Sequence, residues 1–193
     1  SVVSDPLKYA NGFLVTGNYV VGGVDLTKNI NVPTGGFATG VINISGVPAN
    51  ADILAAYLYW ETIDLTSNTN PGAGVQFREM DVISPDVTVV HAASAVIPIG
   101  SPCYSSGQQS LSITHFKADV MRLLPLQEDV NGPTGKRLAN GSHTVRLPDA
   151  SSGNNVPESG GASLLIVYRN PEPSPTLNPL RKIVVYDGNY VLP

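Results

Sequence analysis

The stretch that most constrains the fold of this chain is Ala51–Asp64, which has the sequence ADILAAYLYWETID. It is an apolar run that holds the single tryptophan, Trp60, together with two of the eight tyrosines. Turn-forming residues border it on both sides, at 46–50 and at 67–71. An apolar, aromatic-rich run with such borders predicts a central β-strand that is buried on at least one face.

Further segments have the alternation or the β-branched content of strands. They are Gly12–Leu26, Phe37–Ile44, Gly74–Asp81, Val87–Ile97, Leu111–Phe116, Ser142–Leu147, Ala162–Tyr168 and Arg181–Tyr186. Gly17 and the pair Gly22–Gly23 interrupt the first of these, which predicts bulges or close backbone approaches. Lys117–Leu124 is the helical candidate, and it is too short to be stable unless it rests on a sheet. We expect Val130–Gly141 to be a loop.

About nine or ten strands at roughly regular spacing, with little helix and no alternation of strands and helices, predict an all-β fold. We expect an antiparallel two-sheet sandwich of the jelly-roll kind, with residues 1–193 in a single domain and at most one short helix near 117–124. An immunoglobulin domain proper is disfavoured, because the Cys…Trp…Cys spacing is absent.

The composition favours a secreted or surface protein. Charged residues make up 13% of the chain, about half the usual share, while there are 19 glycines and 16 prolines. The net charge is −4 and the 11 basic residues are scattered, so the basic stripe of a nucleic-acid binder is missing. No apolar run is long enough to span a membrane. We therefore expect an extracellular or cell-surface location, no nucleic-acid partner and no membrane span.

The chain begins at Ser1 and ends on Tyr190–Pro193, which looks like the start of a strand. We expect a processed chain or a fragment, or a final strand that pairs with another chain. The lone Cys103 excludes an intrachain disulfide, and we expect it to act as a small, partly buried hydrophobe because no His or Lys neighbours it in sequence.

Four segments carry a resemblance to a known group of proteins. They are Gly17–Val24, Ile44–Trp60, Gly161–Arg169 and Pro179–Gly188. The chain resembles secreted bacterial and archaeal surface proteins of unknown function, whose β domains often stand beside repeat or adhesin-like modules. The resemblance implies an exported β domain. It implies no enzymatic activity, no cofactor and no catalytic residues.

Three acids could supply the carboxylate pair of a glycoside hydrolase, which needs two groups ~5–10 Å apart. Glu61 follows Trp60 at a strand end, as in many sugar-cleaving sites, and Asp64 and Asp119 are the possible second members. We favour the alternative that these acids lie at strand ends and face solvent.

The three histidines lie on different predicted strands and lack the paired spacing of a zinc site. We expect His91, His115 and His143 to be packed or half-exposed strand residues. Ser163 opens a strand and does not sit on the strand-to-helix turn of a nucleophile elbow. The sequence therefore predicts no enzyme.

Two oxygen-rich turns could hold Ca²⁺, which takes 6–8 oxygen ligands. The candidate ligands are Asp129 and Asn131 in one turn, and Asp187 and Asn189 in the other. Neither turn matches a twelve-residue calcium loop, and side-chain-to-backbone Asx turns also explain them. We expect no other cofactor.

Two triplets fit the N-glycosylation pattern, at Asn43 and at Asn140. Lys182 lies inside an apolar strand and could form an isopeptide crosslink if it is buried near an Asn or Asp. We favour a solvent-facing Lys182 on an edge strand, where its charge blocks aggregation.

The leading functional prediction is a non-catalytic structural or adhesive module that contacts identical subunits, other surface proteins or glycans. One version is a fibre subunit in which residues 1–9, or the segment from Tyr190, complete a neighbour's sheet by strand addition. The alternative is a carbohydrate-binding module that stacks Tyr104 and Tyr190 on sugar rings. A glycoside hydrolase is a third and weaker alternative.

Overall fold

A computed structural model gives the architecture of most of the chain. The residues that it describes are 7–29, 36–65, 67–70, 72–93, 111–150, 156–172, 174 and 176–188. For residues 91–93 the description covers the backbone alone.

Within these ranges the chain forms fourteen strands and two short 3-10 turns. The strands are β1 (Lys8–Val15), β2 (Gly17–Asp25), β3 (Thr27–Lys28), β4 (Phe37–Ile44), β5 (Asp52–Leu65), β6 (Gln76–Phe77), β7 (Met80–Asp81), β8 (Val87–Ala93), β9 (Leu111–Asp119), β10 (Leu126–Asp129), β11 (Gly132–Arg137), β12 (Gly141–Pro148), β13 (Gly161–Arg169) and β14 (Arg181–Asp187). The 3-10 turns span Ser84–Asp86 and Met121–Leu123. In the described part of the chain, no helix is both long and apolar enough to cross a membrane.

The strands build two five-stranded sheets and two ribbons. The central sheet has the order β2-β13-β5-β9-β8, and the flanking sheet has the order β3-β4-β12-β6-β7. The terminal ribbon pairs β1 with β14, and a second ribbon pairs β10 with β11. The pairings are antiparallel. The predicted all-β antiparallel sandwich is confirmed.

The main core lies between the central and flanking sheets. Successive side chains of a strand point to opposite faces, so Leu58 and Trp60 of β5 both enter this core, at 0% and 4% exposure. The indole of Trp60 stacks on the ring of Phe116, with 5.2 Å between centroids and 17° between planes. Interior packing of the lone tryptophan, as the sequence predicts, is confirmed.

The terminal ribbon forms a third layer on the outer face of the central sheet. Ile183 of the ribbon packs with Ala55 and Val167, and partly buried Phe13 and Tyr57 extend this smaller cluster. The middle strand β5 is therefore covered on both faces. Double coverage explains why its sequence is a nearly continuous apolar run, which is typical of strands without a solvent face.

The expected helix over 117–124 is replaced by a strand and a single 3-10 turn. Strand β9 continues to Asp119, because Phe116 and Ala118 alternate into the core at 4% and 0% exposure. The amide of Val120 then donates to Ala56 O at 2.9 Å. Tertiary pairing with β5 overrides the helix-forming composition of this segment.

The expected loop over 130–141 contains a β-hairpin. Asp129 pairs with Gly132 across the turn, so Val130 and Asn131 form its tip. Val130 is 100% exposed. The strands lack apolar alternation because neither face is deeply buried, and the sequence pattern therefore does not reveal them.

The predicted close backbone approach is confirmed at Gly17 and Gly22, whereas a Cβ on Gly23 would meet Ala162 O at an ordinary 3.7 Å. A Cβ on Gly17 would lie 1.9 Å from the carbonyl oxygen of Tyr168, and one on Gly22 would lie 2.8 Å from that of Asn43. The strand boundary falls at Gly17, whereas β2 runs through Gly22 without interruption.

Candidate binding cleft

A cleft of about 380 Å³ lies on the outer face of the central sheet, beside the end of the terminal ribbon. We call it the ribbon cleft, and its polar or aromatic lining side chains are Tyr59, Glu61, His115, Ser163, Tyr186 and Asp187. The cleft brings together five strands that are far apart in sequence.

Strand register explains this convergence. Tyr59 of β5 stands opposite Lys117 of β9 and Ser163 of β13. Glu61, two positions further along β5, stands opposite His115. Residues two apart share a face of a strand, so these side chains all point outward. Gly161, which has no side chain, and the small Ser163 leave room on β13.

Asp187 at the end of the ribbon is held by two partners from the central sheet. The hydroxyl of Tyr59 donates to Asp187 Oδ1 at 2.8 Å. The ammonium of Lys117 donates to Asp187 Oδ2. The side chains of Lys117 and Asp187 are 16% and 13% exposed. Burial, followed by the hydrogen bond to Asp187 and its charge, raises the pKa of Tyr59, so Tyr59 keeps its proton and remains a donor.

Tyr57 completes this anchor on the side of β1. The ammonium of Lys117 lies 5.1 Å from the centroid of the Tyr57 ring, which is cation–π geometry. The Tyr57 hydroxyl accepts a hydrogen bond from Asn11 Nδ2 at 2.9 Å. Both strands of the terminal ribbon are thus tied to the central sheet by polar contacts as well as by apolar packing.

Glu61 and His115 form the exposed part of the cleft. Their nearest atoms, Glu61 Oε2 and His115 Nδ1, are 3.5 Å apart, and their side chains are 51% and 27% exposed. These groups stay accessible to a ligand, in contrast to the buried pair formed by Lys117 and Asp187.

The three acids of the hydrolase hypothesis are not brought together. Asp64 is 4% exposed, and its carboxylate accepts from Leu65 N at 2.7 Å and Asn68 Nδ2 at 2.5 Å. Asp119 accepts from Met121 N at 2.9 Å and stands opposite Tyr57. That position is four residues along β5 from Glu61, or roughly 13 Å. Neither acid forms a pair with Glu61 in the cleft.

His143 is a buried structural residue. It is 1% exposed, its Nε2 lies 2.7 Å from Ala139 O, and its ring stacks on Phe77 at 5.5 Å. Since a carbonyl can only accept, Nε2 carries the proton, and Nδ1 accepts from Arg78 Nη1 at 3.4 Å. Burial, and secondarily the charge of Arg78, lowers the pKa of His143 against the opposing effect of the Ala139 carbonyl. Of the other two histidines, His115 lines the ribbon cleft, and the backbone of His91 on β8 pairs opposite it.

Three of the four candidate calcium ligands lie within the described residues: Asp129, Asn131 and Asp187. Asp129 Oδ1 accepts from Asn131 N at 2.7 Å, as in an Asx turn. Both carboxylate oxygens of Asp187 contact protein donors. Within the described residues, no group of three or more His, Cys, Asp or Glu side chains could hold a metal ion. Calcium binding stays a prediction. The remaining candidates lie outside the described residues: Asn189, Tyr104, Tyr190 and Cys103.

The two glycosylation candidates lie at one end of the β4–β12 pair, where β4 ends and β12 begins. Asn43 Oδ1 accepts from Ser142 Oγ at 2.8 Å, and Ser142 belongs to the triplet of Asn140. The amide group of Asn140 bonds both backbone groups of Val47, at 2.7 and 3.1 Å. A glycan on Asn140 would replace one of the two Nδ2 hydrogens, and the other would have to keep the bond to Val47 O. Glycosylation of either residue stays a prediction.

A second groove, of about 630 Å³, lies on the outer face of the flanking sheet. Arg146 lines this groove, and its guanidinium lies 3.8 Å from the centroid of the Phe37 ring. Its Nη1 donates to Gln76 Oε1 at 3.3 Å. These contacts hold the side chain against its own sheet.

Sequence reasoning missed the contact between Lys117 and Asp187, because Lys117 lay in the predicted helix and Asp187 in a predicted turn. The available signal was the alternation of Tyr57, Tyr59 and Glu61, which places three polar-tipped side chains on one face of a strand.

No known protein family, curated protein or solved structure matches this chain. Its function is therefore inferred from its own geometry.

Proposed function

We propose that this chain is a non-catalytic structural or adhesive module of the cell surface, and that it associates with a second copy of itself through strand β14 of the terminal ribbon. The observation that carries the proposal is that one edge of β14 has no strand partner among the described residues and has a self-complementary sequence, while its inner face is anchored to the central sheet. The low charged fraction, 13%, supports a surface location.

The edge of β14 is the first step. In the described part of the chain, β14 pairs with β1 alone, so its opposite edge has no strand partner there. An unpaired edge presents backbone donors and acceptors that can accept a further strand. Residues 183–186, Ile-Val-Val-Tyr, have the composition of a strand and contain no proline.

The sequence of β14 is complementary to itself when two copies run antiparallel. Pairing centred on Val184 sets Lys182 opposite Tyr186 of the second copy, and Ile183 opposite Val185 of the second copy. Lys182 and Tyr186 point outward, and Tyr186 is 57% exposed. Each Lys182 can therefore lie over a tyrosine ring of the other copy. Such a contact is isologous and closes as a twofold dimer.

The outward face of the ribbon is also apolar for an exposed surface. Tyr9, Leu14 and Tyr186 are 66%, 69% and 57% exposed, and the rings of Tyr9 and Tyr186 meet edge to face at 6.4 Å. Exposed apolar groups that lie together favour a protein contact. The sequence also suggests strand addition by residues 1–9 or by the segment from Tyr190. Residues 1–6 and 189–193 lie outside the described ranges, whereas residues 8–15 pair with β14 of their own chain.

Sedimentation velocity over a range of concentrations tests the proposal. We expect a monomer–dimer equilibrium for the natural chain. Lys182→Glu removes two cation–π contacts per dimer, each about 0.5–1 kcal/mol, and should weaken the dimer roughly 5- to 30-fold. Val130→Ser is the control, because Val130 is fully exposed on the other ribbon. A chain that remains monomeric at all concentrations contradicts the proposal.

A glycan ligand is the second candidate, and the ribbon cleft favours it. The exposed ring of Tyr186 lies beside the accessible groups of Glu61 and His115 and the hydroxyl of Ser163. An aromatic surface with a few polar groups is typical of ligand sites. A glycan array tests this candidate: binding should be lost in Glu61→Gln and retained in Tyr19→Ala, a tyrosine that is 51% exposed on β2. An array without hits removes it.

A further inference from the structure

Lys117 and Asp187 form an ion pair that connects two strands distant in sequence. Lys117 lies on β9 within the central sheet, and Asp187 is the last residue of β14, 70 positions later. Their side chains are 16% and 13% exposed, so water has little access to either charge. The direct contact between Lys117 Nζ and Asp187 Oδ2 brings the amine nitrogen close to the carboxyl carbon.

Two tyrosines fix the geometry of this pair. The Tyr57 ring lies 5.1 Å from Lys117 Nζ and holds it from one side. The Tyr59 hydroxyl donates to Asp187 Oδ1 at 2.8 Å, and so withdraws electron density from the carboxyl group. Oδ1 is the oxygen that is not in contact with Lys117. A positioned donor on one oxygen, with the amine beside the other, is the arrangement that assists attack on a carboxyl carbon.

We propose that Lys117 and Asp187 are joined by an intramolecular isopeptide bond. One proton of the Lys117 ammonium first passes to Oδ2 of Asp187, with which it is in contact, and this leaves a neutral amine and a carboxylic acid. The amine nitrogen then attacks Cγ of Asp187, and the bond between Cγ and Oδ2 breaks. Of the three protons on the ammonium, one remains on the new amide nitrogen and two leave with Oδ2 as water. Oδ1 becomes the amide carbonyl oxygen and keeps its hydrogen bond from Tyr59. An ammonium and a carboxylate thus give one amide and one water, with no other reactant.

The surroundings favour the product. Holding two charges away from water is costly, and the neutral amide removes both of them. The proximity of the two groups replaces an encounter in solution by a step within one molecule. The released water has an exit, because Asp187 lines the open ribbon cleft.

This site differs from the one that the sequence suggests. Lys182 is exposed on the outer face of the ribbon, opposite Leu14, whereas Lys117 lies beneath the ribbon with its ammonium on a carboxylate. The crosslink would fasten β14 covalently to the central sheet. It goes beyond the proposed self-association and does not depend on it.

Intact mass spectrometry of the denatured full chain tests the crosslink. We expect the natural chain to be one water lighter than its sequence requires, and Lys182→Arg to show the same loss. Lys117→Arg keeps the positive charge but cannot form this bond, and should have its full mass. Digestion should yield one branched peptide that contains both Lys117 and Asp187. Tyr59→Phe should form the bond more slowly and give a mixture of the two masses.

Two results would overturn the crosslink. The first is a natural chain that keeps its full mass after prolonged incubation in the folded state. The second is a loss of water that persists in Lys117→Arg, because cyclisation at Asp187–Gly188 also releases one water and leaves Lys117 unlinked. The branched peptide from the natural chain distinguishes the crosslink from cyclisation even if a variant fails to fold.

Discussion

Tyr59 donates a 2.8 Å hydrogen bond to Asp187, and this bond connects the middle strand of the central sheet to the last strand of the terminal ribbon. The ribbon is therefore fixed to the sheet by a polar contact in addition to the cluster around Ile183. Its outward face, and the edge of β14 that has no partner in the described part of the chain, are therefore held on the central sheet. A rigid support lowers the entropy that ordering an interface would otherwise cost.

Loss of the Tyr59 hydroxyl should destabilise the fold. Tyr59→Phe leaves the Asp187 side chain with one donor fewer in a site of low exposure. A hydrogen bond contributes about 0.5–1.5 kcal/mol to a neutral acceptor, as in the crosslinked chain, and about 1.5–3 kcal/mol to a charged one. Tyr57→Phe, which removes a bond from Asn11, should cost about 0.5–1.5 kcal/mol. Urea denaturation of both variants measures the difference. Equal stability of Tyr59→Phe and the natural chain would contradict the anchoring role.

His143 should make stability depend on pH in the acid range. Burial lowers its pKa in the folded chain, while the unfolded imidazole has a pKa of about 6.5. Below that pH the unfolded chain binds a proton that the folded chain does not. The free energy of unfolding therefore falls as pH drops from about 6.5 through the folded pKa, by at most about 1.4 kcal/mol per pH unit.

Urea denaturation at pH 7.5 and pH 5 checks the contribution of His143. The decrease in unfolding free energy should be smaller in His143→Gln than in the natural chain. It should persist in His115→Gln, where a partly exposed histidine of the cleft is changed instead. An unaltered decrease in His143→Gln would show that another group is responsible.

Gly17 should tolerate no side chain. A Cβ there would overlap the carbonyl oxygen of Tyr168 at 1.9 Å, so Gly17→Ala should destabilise the chain by about 1–3 kcal/mol or more. Gly23 is a matched control on the same strand, because its Cβ would meet Ala162 O at an ordinary 3.7 Å. Thermal unfolding of both variants separates a steric effect from a general effect of alanine in β2. Similar melting temperatures for Gly17→Ala and Gly23→Ala would contradict the steric effect.

The turn between β6 and β7 should be improved by glycine. Arg78 and Glu79 have φ of 53° and 64°, the left-handed values that a two-residue hairpin turn requires and that side chains disfavour. Glu79→Gly should stabilise the fold by about 1 kcal/mol. Glu128→Gly should not stabilise it, because Glu128 does not have a positive φ. A lower melting temperature for Glu79→Gly would show that its carboxylate contributes more than the turn costs.

The sequence predicted the two-sheet architecture because its strong signal, the run around Trp60, reflects burial on both faces of β5. It did not predict the terminal ribbon as a third layer. Phe13 and Ile183 look like members of any strand, and nothing local shows which face of which sheet they cover. The helix candidate over 117–124 was not found. Its composition suits a helix, but pairing with β5 extends the strand to Asp119.

The candidate site was harder to predict than the fold. Lys117 and Asp187 acquire their relationship from the position of the ribbon over the central sheet, which is a long-range property of the topology. Glu61 was identified, but its partner is His115, set by strand register, and not one of the other acids. Asp129 and Asn131 were recognised because an Asx turn is local and depends on neighbouring residues alone.

Disulfide trapping across β14 tests the central claim most directly. Val184 stands opposite itself in the proposed dimer, and facing residues of antiparallel strands have Cα atoms about 4.5–5.5 Å apart, within the range that a disulfide spans. In a Cys103→Ser background, Val184→Cys should form a covalent dimer on mild oxidation. Leu14→Cys, on the same outward face in β1, should remain monomeric, because three strand spacings and an offset of four residues along the strand place it about 20 Å from its counterpart. The absence of a Val184→Cys dimer, or equal trapping of both variants, would contradict association through β14.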